Sequence, residues 1–85
     1  MITQRYIDDD NYYTTTDLGC AAGLIVAGSI LVELDRSNAR RVVFIFNRSG
    51  KLTDDFEAYW RGDLSIDAKS YFEALKWLKA RVYNG

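Results

Sequence analysis

The run Val42-Val43-Phe44-Ile45-Phe46 constrains this chain most. Every residue in it is apolar and either β-branched or aromatic, which favours an extended strand. Successive side chains of a strand point to opposite faces, so such a run is apolar on both and needs cover on both. Upstream, Ile30, Val32 and Leu34 alternate with Leu31, Glu33 and Asp35, the period of a half-buried strand. Ser37-Asn38-Ala39 supplies a turn between the two, since Asn tolerates positive φ. The pair reads as an antiparallel hairpin. A two-stranded ribbon alone is marginal in water. Its second face therefore requires either the N-terminal arm or a second copy of the chain.

Helices fill the rest. Thr14-Thr15-Thr16-Asp17 reads as a helix start, with a Thr hydroxyl as cap and Asp17 against the positive end of the dipole. That helix runs to about Ala27, and Gly28 fits a left-handed cap. Its small residues, Gly19 and Gly23 among them, suit a central helix that another backbone approaches closely. Asn47-Arg48-Ser49-Gly50 breaks the second strand, and Thr53-Asp54-Asp55 opens a second helix carrying Leu52, Phe56, Tyr59 and Trp60 at helical spacing. Gly62 ends it. Asp67 begins a third helix after Ser65 as cap, with Ala68, Tyr71, Phe72, Leu75, Leu78 and Val82 on one apolar stripe. Met1 to Tyr13 is an arm in which Ile2, Tyr6 and Ile7 are compatible with a short strand interrupted by Asp8-Asp9-Asp10. The expected build is a small α+β single domain over residues 1–85, in the order (β)-α-β-β-α-α, with the hairpin packed by helices.

The uncharged stretch Leu18–Val32 holds 15 residues and three glycines. A membrane span needs about 20 apolar residues. It sits behind Asp8, Asp9, Asp10 and Asp17, where a signal peptide would carry basic residues. A buried helix followed by a buried strand is expected, with no membrane partner. Cys20 lies within the stretch without a basic neighbour and reads as an inert core thiol, suited to a reducing, cytoplasmic setting.

Several residues together resemble a known family. Thr15-Thr16-Asp17-Leu18, Ala21-Ala22 and Gly28 form one half of the likeness. Tyr59-Trp60-Arg61-Gly62, Ile66-Asp67-Ala68, Tyr71, Phe72, Ala74-Leu75 and Leu78-Lys79 form the other. The pattern is similar to a family of short, uncharacterised bacterial and phage-borne proteins filed as a domain of unknown function. It spans residues 12 to 83, mostly core and capping positions. The resemblance implies a small stand-alone protein often carried on mobile genetic elements. It brings no catalytic residue.

The chain has no His, which removes the usual general base and the commonest metal ligand. A single Cys excludes an internal disulfide and a cysteine zinc cage. Asp8, Asp9 and Asp10 are adjacent and lack the alternation of a calcium loop. The spacing of Gly19, Gly23 and Gly28 does not fit a dinucleotide loop. Asp54 and Asp55 stand at a helix start, where charge complements the dipole. No catalytic residue, metal or cofactor is expected, and the chain reads as a non-enzyme.

Charge is unevenly placed. Residues 1–35 carry a net of −5, residues 36–51 a net of +5 and residues 52–85 a net of −1. The positive block is Arg36, Arg40, Arg41, Arg48 and Lys51. Three uses are open. The ribbon could enter a DNA groove with its arginines on phosphate and guanine. The charges could guard exposed hairpin ends against edge-to-edge association. They could also meet the acidic arm, within one chain or across a dimer. A net charge of −1 weighs against strong nucleic-acid binding. Trp77 lies nearly opposite the apolar stripe, beside Arg81, and is a candidate interface anchor together with Tyr12 and Tyr13. Phe56, Tyr59, Trp60, Tyr71 and Phe72 are expected in the core. Lys79 interrupts the apolar stripe, either snorkelling to solvent or meeting an acid such as Asp17. The leading expectation is a self-associating interaction module, a homodimer. The alternative is a nucleic-acid-binding protein that uses the basic hairpin.

Overall fold

The computed structural model describes residues 6, 9–38 and 40–84. The order is β1 (Tyr12–Thr15), α1 (Leu18–Val26), β2 (Leu31–Asp35), β3 (Val43–Asn47), α2 (Gly50–Arg61) and α3 (Ala68–Asn84). This is the expected β-α-β-β-α-α sequence. The strands form one antiparallel sheet in the order β1-β3-β2, so the most apolar strand takes the middle.

The first strand lies later than expected. Ile2 and Ile7 fall outside the described residues. Thr14 and Thr15, read as a helix start, instead pair with Ile45 and Phe44 of β3. Two adjacent β-branched threonines suit a pleated strand. The cap of α1 is Asp17 itself, whose carboxylate accepts from the Cys20 N–H at 2.7 Å, while the Thr15 hydroxyl accepts from the Asp17 N–H at 3.1 Å. Helix α1 closes as expected: Gly28 has φ 111°, and its neighbour Ser29 donates back to the Leu24 carbonyl at 2.8 Å.

The second and third helices begin differently from the sequence reading. Ser49, not Thr53, caps α2, its hydroxyl accepting from the Leu52 N–H at 3.0 Å. For α3 the cap is Asp67 rather than Ser65, accepting from the Ser70 N–H at 2.8 Å. Those bonds hold the Asp67 carboxyl below its ordinary range. Gly62 ends α2 in the left-handed region, φ 80°.

Helices α1, α2 and α3 lie on one face of the sheet. Phe44 and Phe46 of β3 meet Cys20, Ala21, Ala22 and Leu24 of α1, Leu52 of α2 and Leu78 of α3 in the core. Helix α1 is central and packs against both other helices. The close approach at Gly19 comes from tyrosine rings rather than from another backbone. A Cβ there would lie 2.7 Å from the Tyr59 hydroxyl oxygen and 3.1 Å from that of Tyr71.

The opposite face carries Val43 and Ile45 of β3, flanked by Thr14 and Glu33. Ile45 is fully buried within the single chain. On the same face the rings of Tyr6 and Tyr12 meet edge-on at 4.7 Å. The need for cover on that face is thus met without a second copy.

Strand β2 departs from simple alternation. Leu31 pairs with Phe46 and Glu33 with Ile45, so Val32 is an extra residue at a bulge. A one-residue slip sends side chains to the other face. Leu31 joins Leu34 against the core, while Ile30 and Val32, expected inward, are exposed. On the helices, Trp60 is 56% and Phe72 62% exposed, although both were expected in the core. Trp60 sits edge-on to Phe56 and Tyr59 at the rim. Phe72 holds the Lys76 ammonium over its ring. Ala68 is exposed as well. A three-layer arrangement would bury the full stripe, but one sheet face gives α3 contact only along Tyr71, Ala74, Leu75, Leu78 and Val82.

Candidate functional site

The basic block of the hairpin does not stay together. Strand β3 separates Arg40 and Arg41 at its start from Arg48 and Lys51 beyond its end, roughly 20 Å apart for an extended chain. Lys51 pairs with Asp55 at 2.7 Å and donates to the Ala27 carbonyl at 2.8 Å, capping the negative end of α1. Arg48 lies over the Tyr13 ring and donates to the Tyr12 carbonyl at 3.4 Å. Arg36 donates to the Arg81 carbonyl at 2.7 Å. Between them, the Asp35 carboxylate is buried and accepts from the Ser37 N–H and hydroxyl, fixing the start of the turn.

Arg40 and Arg41 face a cleft of about 410 Å³ at the end of the sheet where β1 leaves and β3 enters. Lys79 of α3 lines the same cleft, with Thr16 and Tyr83 at its margin and Val42, Phe44 and Val82 among its apolar walls. Among the described residues, no acidic one lines it. Among the described residues, no ion pair joins Arg40, Arg41 or Lys79 to a carboxylate. Of the alternatives the sequence left open, an ion pair of Lys79 with Asp17 and one of Arg40 or Arg41 with Asp9 or Asp10 are therefore not seen there. Asp8 lies outside the described residues. Lys79 is exposed, as the snorkelling alternative has it, but its place beside Arg40 and Arg41 was not foreseen. The available signal was a charge inside an otherwise apolar stripe.

The interface candidates divide in the same way. Trp77 and Arg81 sit beside β2, and Tyr12 and Tyr13 lie on β1, at the opposite edge of the sheet. Tyr13 packs at 4.9 Å from Phe56, on the core side. Trp77 is 49% exposed, with the Arg81 guanidinium 5.1 Å from the ring centre. Together with Val32, Glu33 and Arg36 they line a groove of about 390 Å³ along the outer edge of β2.

Behind these surfaces Cys20 of α1 is buried and Tyr13 of β1 and Tyr59 of α2 are partly buried. Burial, then the charge of Asp17, pushes the Cys20 thiol up to about 11. Burial raises Tyr13 and Tyr59 to about 12, aided by Cys20 for Tyr13 and by Tyr71 for Tyr59. Each group holds its proton more tightly folded than unfolded, so its share of stability is whole below the unfolded value and lost as pH rises through the folded one. Stability is expected to hold up to about the ordinary thiol value of 9.0 and to fall from there toward 12. Urea midpoints at neutral pH and at about pH 10.5 check this. An unchanged midpoint at the higher pH contradicts the packing described. Among the described residues, no group of His, Cys, Asp or Glu is clustered to hold a metal ion, and no helix is long and apolar enough to cross a membrane.

Helices α1, α2 and α3 on one face of an antiparallel sheet of β1, β3 and β2 define a small α+β domain. The chain belongs to the family described as Domain of unknown function (DUF5659), whose model matches residues 10–84. No curated protein and no solved structure matches it.

Proposed function

We propose that this chain is a protein-interaction module that self-associates as a homodimer through the outer edge of β2. The observation that carries this reading is the half-exposed Trp77 beside exposed Val32 on an edge strand. An edge strand offers unpaired backbone donors and acceptors to another chain. A large aromatic next to it is the usual kind of anchor. The groove is self-complementary in charge, with Glu33 close to Arg36 and Arg81. A two-fold axis uses one patch twice, so each acid can meet a partner's cation. The case does not draw on an uncovered sheet face, since Ile45 is buried in one chain.

Light scattering at tens of micromolar tests it. The expected mass is twice the 9.7 kDa of one chain. Trp77→Ala is expected to weaken association by about thirtyfold, the scale of a hot-spot residue. Val32→Lys places a charge on the edge and is expected to leave a monomer. A wild-type chain that stays monomeric at these concentrations removes the proposal.

A further inference from the structure

We propose that the cleft bounded by Arg40, Arg41 and Lys79 binds a nucleotide, its phosphate held by the three cations and its base laid against Tyr83. The cations come from two distant segments, the hairpin turn and the last turns of α3, and only the tertiary fold brings them to one cleft. Among the described residues no acid lines it, so the cleft gathers positive charge from three side chains, which selects an anion. Arginine matches phosphate oxygens in a planar fork, and lysine adds a compact charge. The walls are not those of a simple ion site. Val42 and Val82 give apolar surface, and Tyr83 is an aromatic ring 83% exposed at the margin. At about 410 Å³ the cleft has the size of a small-ligand site. Anion recognition beside an exposed aromatic is the arrangement by which proteins hold single-stranded nucleotides. Duplex DNA is disfavoured, because Arg48 and Lys51 lie beyond the far end of β3, Lys51 is paired with Asp55, and Arg36 is turned to the Arg81 carbonyl of α3, so the five cations form no continuous track.

This inference is independent of self-association, since the cleft and the β2 groove share no lining residue. The test is fluorescence anisotropy with a labelled oligothymidylate of about 12 nucleotides, at about 50 mM salt and above. Three contacts give an expected slope of about −2 for log affinity against log salt. Lys79→Ala is expected to weaken binding about tenfold and to shrink the slope to about −1.4. Lys69→Ala makes the same change in net charge at an exposed site outside the cleft, and is expected to leave both unchanged. Tyr83→Ala is expected to weaken binding at least about fivefold through lost stacking. A parallel titration with thymidine monophosphate separates the sources. Competition by the monomer marks a free-nucleotide site, and binding of the oligomer alone marks a single-strand site. Absence of binding by both, equal effects of Lys79→Ala and Lys69→Ala, or tighter binding of duplex than of single strand would overturn the proposal.

Discussion

Phe46→Ala is expected to remove about 3–5 kcal/mol of folding free energy, while Phe72→Ala changes it by less than about 0.5 kcal/mol. A chain of 85 residues has stability on the order of 4–13 kcal/mol. The first substitution therefore leaves a domain near its folding limit. Phe46 is 0% exposed and sits in the central strand between Tyr13 and Leu31, under α1. Its ring fills space that a strand flanked on both sides cannot close by relaxation, so the lost transfer energy and the cavity add. Phe72 projects to solvent with Lys76 over its ring, so truncation takes away little contact. Urea denaturation followed by circular dichroism measures both. Similar losses for the two variants would contradict the packing of α3 given above.

Gly19→Ala and Gly23→Ala are expected to move stability in opposite directions, although both exchange a glycine for alanine within α1. Alanine in a helix is favoured over glycine by about 1 kcal/mol. At Gly23 a Cβ would meet Tyr59 at 3.4 Å and Leu64 at 3.5 Å, ordinary contact distances. That variant is expected to gain up to about 1 kcal/mol, or about 4–8 °C in Tm. At Gly19 the Cβ falls 2.7 Å from the Tyr59 hydroxyl oxygen, and Tyr71 donates its own hydroxyl to the Gly19 carbonyl at 3.2 Å. Both rings must give way, and overpacking of this kind costs about 1–3 kcal/mol. Tyr59→Phe removes the atom in conflict and is expected to recover part of the loss in the Gly19→Ala background. Thermal melts of the wild type, Gly19→Ala, Tyr59→Phe and the double variant form the cycle. If Gly19→Ala melts at or above the wild-type temperature, the tyrosine contacts do not constrain α1.

Much of this fold is legible from local chemistry. Val43 to Phe46 has the composition of a covered strand, and β3 is the central strand. Gly28 and Gly62 mark helix ends because each adopts positive φ, which costs a glycine nothing. The misplacements have local causes too. Thr14 and Thr15 can cap or extend, and pairing with β3 decides between them. Ser49 competes with Thr53 as the opening of α2, and both are reasonable caps. The bulge at Val32 leaves no mark in an alternating pattern, yet it exposes two residues that the pattern places inside.

The candidate surfaces were less legible than the fold. Trp77 beside Arg81 was accessible from helical geometry, because residues four apart share a face. The partners of Lys79 were not. The amino-acid order by itself determined the kinds of elements, their succession and most of their ends, since dihedral preference, capping and apolar periodicity act over a few residues. Tertiary structure alone decided that a third strand sits beside β3, that the arginines of the turn part company, and that two of them join a lysine from the final helix. Such neighbours are set by packing between segments far apart in the chain, and short-range preferences carry no term for that.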